Sequence, residues 1–107
     1  MLNQTVLVGR LVKNPEVVTT EYGKNVSYIT LAVPRSYKNE NGEYDTDFID
    51  CVLWNGVAEN TSEYCKKGDL IGVKGRVQSR MIEDEDGSNY KKMEIIAEKV
   101  TFLQSNS

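Results

Sequence analysis

From Ile71 to Arg80 the chain alternates almost without a break. Ile71, Val73, Gly75 and Val77 fall on one side, and Lys74, Arg76, Gln78 and Arg80 on the other. A period of two places successive side chains on opposite faces of a strand, so this stretch is a half-buried β-strand and not an amphipathic helix. The same period recurs twice. In 25–33, Ile29, Leu31 and Val33 oppose Tyr28, Thr30 and Ala32; in 47–54, Ile49, Cys51 and Leu53 face inward while Phe48, Asp50, Val52 and Trp54 face outward. Thr5 to Leu11 and Tyr90 to Phe102, the latter with Met93, Ile95 and Ala97 on one face, complete the long strand-like runs. A shorter piece, Glu16 to Thr20, ends at the turn Tyr22-Gly23-Lys24-Asn25. Pro34 has no N–H to donate and is expected to interrupt pairing. Asn41-Gly42 tips a hairpin from Tyr37 to Tyr44, and Asp86-Gly87 lies in the turn 83–89.

One segment breaks the strand pattern. Asn55 is a plausible N-cap; Val57, Ala58, Thr61, Tyr64 and Cys65 share a helical face, Lys66-Lys67 suit a helix C-terminus, and Gly68 suits the position after it. Three long strands, a helix and two strands is the order of the five-stranded oligonucleotide-binding (OB) fold, an all-β Greek-key barrel with one short helix between its third and fourth strands. Gly9, Gly72 and Gly75 lie inside strands, where a closed barrel needs sharp coiling. A split ferredoxin-like domain needs a second helix, and none is visible. At 107 residues there is room for one domain, expected over 1–104, with 105–107 a short C-terminal remnant.

Composition narrows the chemistry. With no histidine and two cysteines outside any CxxC spacing, neither a structural zinc site nor a His-based catalytic dyad is expected, and no cofactor is implied. Cys51 reads as a buried core thiol and Cys65, at the helix end, as partly exposed. No long apolar run predicts a membrane span, and no leader pattern precedes Arg10, so a cytosolic setting is expected. Net charge is −3, but it is unevenly spread: 39–64 carries seven acids and no base, 65–82 carries five bases and one acid, and 83–86 is four consecutive acids. A local basic surface is compatible with that balance, as is charge solvated on unrelated faces. Four adjacent acids on a hairpin tip converge poorly on one metal ion and read as a solvated loop.

The outward faces are unusual for surface exposed only to water. Phe48 and Trp54 lie on one side of their strand, about 20 Å apart at strand rise. Lys74, Arg76 and Arg80 follow at even spacing, and Tyr37 stands between Arg35 and Lys38. Rings beside cations are what single-stranded nucleic acid requires, for bases recover stacking on a ring while Lys and Arg neutralise phosphates. The alternative arrangement has Phe48 and Trp54 plugging the barrel ends and the cations merely solvated.

Taken together, Val6-Leu7-Val8-Gly9-Arg10-Leu11, Asn14-Pro15-Glu16, Ile29-Thr30-Leu31-Ala32-Val33, Asp47 to Trp54, Lys66-Lys67-Gly68, Gly72 to Gln78 and Glu94 to Glu98 resemble the bacterial and phage single-stranded-DNA-binding (SSB) family, in order over nearly the whole chain. The resemblance implies an OB fold that binds single-stranded DNA largely without sequence preference during replication, recombination and repair. It implies base stacking at Tyr37, Phe48 and Trp54, and a basic groove at Arg10, Arg35, Lys74, Arg76 and Arg80, with Lys38 beside Tyr37. It also implies a homotetramer. Two departures follow. Ile82 stands where many members stack a base on an aromatic, which predicts one weak subsite. The sequence ends at Ser105-Asn106-Ser107, where members continue into an acidic-tipped tail, so these residues do not support tail-mediated recruitment of replication proteins, whether the member is short or its tail lies beyond them. Two other classes compete: an OB-fold nuclease, for which no triad of paired acids and an arginine is evident, and a protein-binding or primosome-type adaptor module.

Overall fold

Leu11, Ile29, Leu31, Cys51, Leu53, Ile71, Val73, Ile95 and Ala97 form one buried cluster in the computed structural model, which describes residues 1–106. These are the inward positions of the alternating runs. Burying a Leu, Ile or Val side chain contributes roughly 1.5–3 kcal/mol, so the period that sorts the faces also supplies the core. The elements are β1 (Thr5–Leu11), β2 (Val18–Thr19), β3 (Asn25–Lys38), β4 (Tyr44–Trp54), α1 (Asn55–Tyr64), β5 (Leu70–Glu83) and β6 (Asn89–Gln104). Strand order is β1-β5-β6-β4-β3-β2, and β1 also pairs with β3, closing five strands into a barrel. This is the OB architecture that the element order predicts. The two-residue β2 is a hairpin partner for the start of β3. Pairing is antiparallel except between β4 and β6, which run parallel through Cys51↔Ile95 and Val52↔Ile96. Among the described residues no helix is long and apolar enough to cross a membrane.

Two glycines carry the close approaches of the barrel. A Cβ on Gly9 would lie 2.8 Å from the Ala32 carbonyl oxygen, and one on Gly75 would overlap the Ile96 carbonyl. Gly75 adjoins a register shift at which β6 inserts Glu98, the bulge that bends the long β5–β6 pair. Gly72 differs from expectation, since a Cβ there makes only ordinary contacts.

Several expectations are corrected. β3 continues through Pro34, which pairs with Thr46, and the irregularity falls between Pro34 and Lys38. Proline lacks a donor but keeps its carbonyl and extended φ, so the ladder bends there without ending. Asn55 is the first residue of α1 at φ +48°, a region Asn tolerates, while Trp54 holds the cap position without a side-chain bond. The helix stops at Tyr64, which is exposed, so Lys66 and Lys67 lie beyond its last turn. Gly68 (φ +89°) serves the following turn, where its N–H donates to the Leu11 carbonyl at 2.8 Å. Cys65 is buried, not partly exposed, because the chain turns inward after the helix. Met93 is exposed although it shares a side with Ile95: before Ile95, β6 has only β5 beside it and no wall opposite. The stretch after β6 is held down, for the Asn106 N–H donates to Asp69 Oδ1 at 3.0 Å. The remaining residue of the 105–107 remnant, Ser107, lies outside the described residues.

Candidate nucleic-acid interface

The pairing register assembles one outer face from four strands. β3 and β4 set Tyr28 opposite Val52, Thr30 opposite Asp50 and Ala32 opposite Phe48. β5 and β6 set Arg76 opposite Ile96, Gln78 opposite Glu94, Arg80 opposite Lys92 and Ile82 opposite Tyr90. Phe48 is 67% exposed and Trp54 38%. Phe48 therefore stands clear of the barrel ends and does not plug them. Val52, expected outward, is on this face but buried, since it forms the floor of a hollow with Ile96 beneath Tyr28, Trp54 and Arg80. A second hollow of about 300 Å³ opens between Tyr28, Thr30, Asp50, Arg80, Lys92 and Glu94.

The cations expected in a groove are mostly engaged with carboxylates. Arg35 donates to both Asp47 oxygens, at 2.9 Å from Nη2 and 3.1 Å from Nε, and lies 3.8 Å from Asp45. The hydrogen bond holds the Arg35 guanidinium above its ordinary pKa and the Asp47 carboxyl below its own. Arg80 Nε donates to Glu94 Oε1 at 2.6 Å, which likewise raises its pKa, and Glu94 is only 4% exposed. Arg76 lies 3.8 Å from Glu98 and donates to the Gln78 side chain at 3.2 Å. Lys74 is exposed and pairs with no carboxylate among the described residues. The basic stretch 65–82 is thus answered by Glu94 and Glu98 of β6, and the face is a mosaic of ion pairs with rings between them.

The expected residues fall into three groups. Trp54 and Arg80 line the central groove, and Arg76 lies on the same face of β5 opposite Ile96. Arg35, Tyr37 and Lys38 cluster where β3 leaves its pairing, Tyr37 exposed and Lys38 Nζ 5.8 Å from the Tyr44 ring centre; Phe48 stands between this group and the groove. Arg10 and Lys74 lie on the β1–β5 side, with the Arg10 guanidinium donating to the Gly68 carbonyl at 3.0 Å. Sequence reasoning missed Tyr28, Lys92, Glu94 and Tyr90. Tyr28 was available from the alternation that puts Ile29 inside; Glu94 was not, because its burial depends on which β5 residue lies beside it.

The chain matches the family model of the Single-strand binding protein family over residues 2–103. Single-stranded DNA-binding protein B of Bacillus subtilis is 48% identical over 103 residues, covering 96% of this chain and 91% of that protein. Single-stranded DNA-binding protein 2 of Listeria monocytogenes is 49% identical over 104 residues, covering 97% and 65%. Single-stranded DNA-binding protein 3 of Listeria innocua is 51% identical over 105 residues, covering 98% and 66%. The chain therefore spans nearly all of the Bacillus protein and just under two thirds of each Listeria protein. A family match across the barrel, relatives near half identity over its whole length and an OB topology agree: this chain belongs to the single-strand binding protein family.

Proposed function

We propose that this chain binds single-stranded DNA, largely without sequence preference, by stacking bases on Tyr37, Phe48 and Trp54 and holding phosphates with Arg10, Arg35, Lys38, Lys74, Arg76 and Arg80. The observation that carries the reading is the pair of rings, Phe48 and Trp54, exposed on one face of β4, with Arg80 of β5 across the hollow that Trp54 lines. Every base has a π-face, so such a surface accepts any sequence. A protein of net charge −3 cannot rely on long-range attraction, which makes stacking the larger share of the affinity. The names of the Bacillus and Listeria relatives support the same ligand.

The reading extends to a homotetramer of about 48 kDa, four chains of 12.1 kDa. Val6 and Val8 are exposed on the outer side of β1, an apolar strip that a second copy would cover.

The test is a titration with oligo-dT, followed by emission of Trp54, the only tryptophan. Saturable quenching is expected, with the oligonucleotide recovered intact in the presence of magnesium. Cleavage would favour the nuclease class; absence of binding would favour the adaptor class and overturn the proposal.

A further inference from the structure

Tyr28 has no part in the expected set, yet it forms one wall of the hollow whose other wall is Trp54 and whose floor is Val52 and Ile96. In the β3–β4 register Val26 lies opposite Trp54 and Tyr28 opposite Val52, so Tyr28 and Trp54 are diagonal neighbours on one face. Diagonal positions in an antiparallel pair are separated by about 7–8 Å. A base held between two rings needs about twice the roughly 3.4 Å that separates stacked nucleotides, which is that same spacing. The hollow measures about 190 Å³, with Val52 and Ile96 apolar at its base and Gln78, Arg80 and the buried Glu94 completing its lining. Tyr28 is 49% exposed, leaving ring surface for a ligand.

Resting on the single-stranded-DNA reading above, we infer that Tyr28 and Trp54 form a slot that takes one nucleobase between their rings. The Arg80 guanidinium, which borders this hollow and the larger one beside it, lies where the phosphate of that nucleotide leaves the slot. Because the base is held by its faces, the slot accepts purines and pyrimidines alike.

The test combines variants with a measurement on the unmodified protein. Tyr28→Ala and Tyr28→Leu are expected to weaken oligo-dT binding roughly 5- to 150-fold, the range that removing one stacking ring gives in proteins of this kind. Tyr28→Phe, which keeps the ring, should bind within about twofold of the unmodified chain. The salt dependence should not change in any of them, since no phosphate contact is removed. Independently, oligo-dT carrying 5-iodouracil should photo-crosslink to the tryptic peptide 25–35, in which Tyr28 is the only aromatic residue. Tyr28→Leu binding as tightly as the unmodified chain, or adducts confined to other peptides, would overturn the slot while leaving the DNA-binding reading in place. The crosslink decides if the variants do not fold. No quenching and no adduct anywhere would overturn both, and is distinguished by the unmodified protein alone.

Discussion

The Arg80 guanidinium and the Glu94 carboxylate meet edge to edge, Nε 2.6 Å from Oε1 and Nη2 3.3 Å from Oε2, with the acid buried and the arginine half open. The arginine is committed to Glu94 before any ligand arrives, so a phosphate contact proposed for it would have to be shared with that carboxylate. Lys74 carries no such commitment among the described residues. Lys74→Ala is therefore expected to make the log–log salt dependence of oligo-dT binding shallower by about 0.7, the single-strand increment per phosphate. Arg80→Ala should change that slope less. It should instead lower stability on the order of 1–3 kcal/mol, because a buried acceptor loses its main donor. Salt titrations and urea midpoints of the two variants check the contrast.

Across the β5–β6 pair from Ile82 stands Tyr90, half exposed on the same face. The ring absent at residue 82 is thus offered from the opposite strand. Tyr90→Ala should loosen oligo-dT binding more than Ile82→Ala, and Ile82→Trp should tighten it. Equal losses for the two alanine variants, measured by anisotropy at fixed salt, would mean that the neighbouring acids 83–86 keep the DNA from this hairpin.

Gly75→Ala places a methyl group into the Ile96 carbonyl. Backbone cannot move aside there as a flexible side chain would, so a loss of about 1–3 kcal/mol is expected, the range for overpacking a core. Gly72→Ala meets only ordinary contacts and serves as the control. Urea unfolding of both variants gives the comparison.

The Thr30 hydroxyl donates to Asp50 Oδ1 at 2.8 Å and Lys92 Nζ lies 3.3 Å from Oδ2, holding the Asp50 carboxyl below its ordinary range, the Thr30 bond contributing most. Asp69 is shifted the same way by the backbone N–H groups of Asn106 and Lys66. A carboxyl with a lower pKa folded than unfolded favours the fold fully above its unfolded value of roughly 3.9, and that contribution fades as pH falls through the folded value. Stability should hold level from about pH 7 to 5 and decline below about pH 4. Asp50→Asn and Asp69→Asn should each flatten that decline, as read from urea midpoints across the range.

The face on which each side chain lies was legible because the pleat allows only two choices and the apolar residues mark one of them. Phe48, Trp54, Arg76 and Arg80 were placed outward on that ground alone, and they are outward. What a residue faces across the barrel was not legible. The pairing of Glu94 with Arg80, the ion pairs that occupy Arg35 and Arg76, and the burial of Cys65 all arise from register and chain return between distant segments. The helix start differs for a local reason, since Asn55 looks like a cap in sequence but is itself the first helical residue, with a left-handed backbone, one position after the cap Trp54.

The barrel is closed by two narrow seams, β4 to β6 at Cys51↔Ile95 and Val52↔Ile96, and β1 to β3 at Arg10↔Ala32 and Leu11↔Leu31. Apart from the two-residue β2, the strands are elsewhere joined by longer ladders, so the molecule is two stiff leaves hinged along short clasps. Trp54, Tyr28 and Asp50 belong to one leaf and Arg80, Glu94 and Ile96 to the other, which sets the central groove astride the β4–β6 clasp. A strand of DNA lying in that groove holds both leaves at once and opposes their parting. Ligand affinity and local opening are then linked, and amide exchange at residues 51–52 and 95–96 should slow on binding more than exchange within the β3–β4 or β5–β6 ladders.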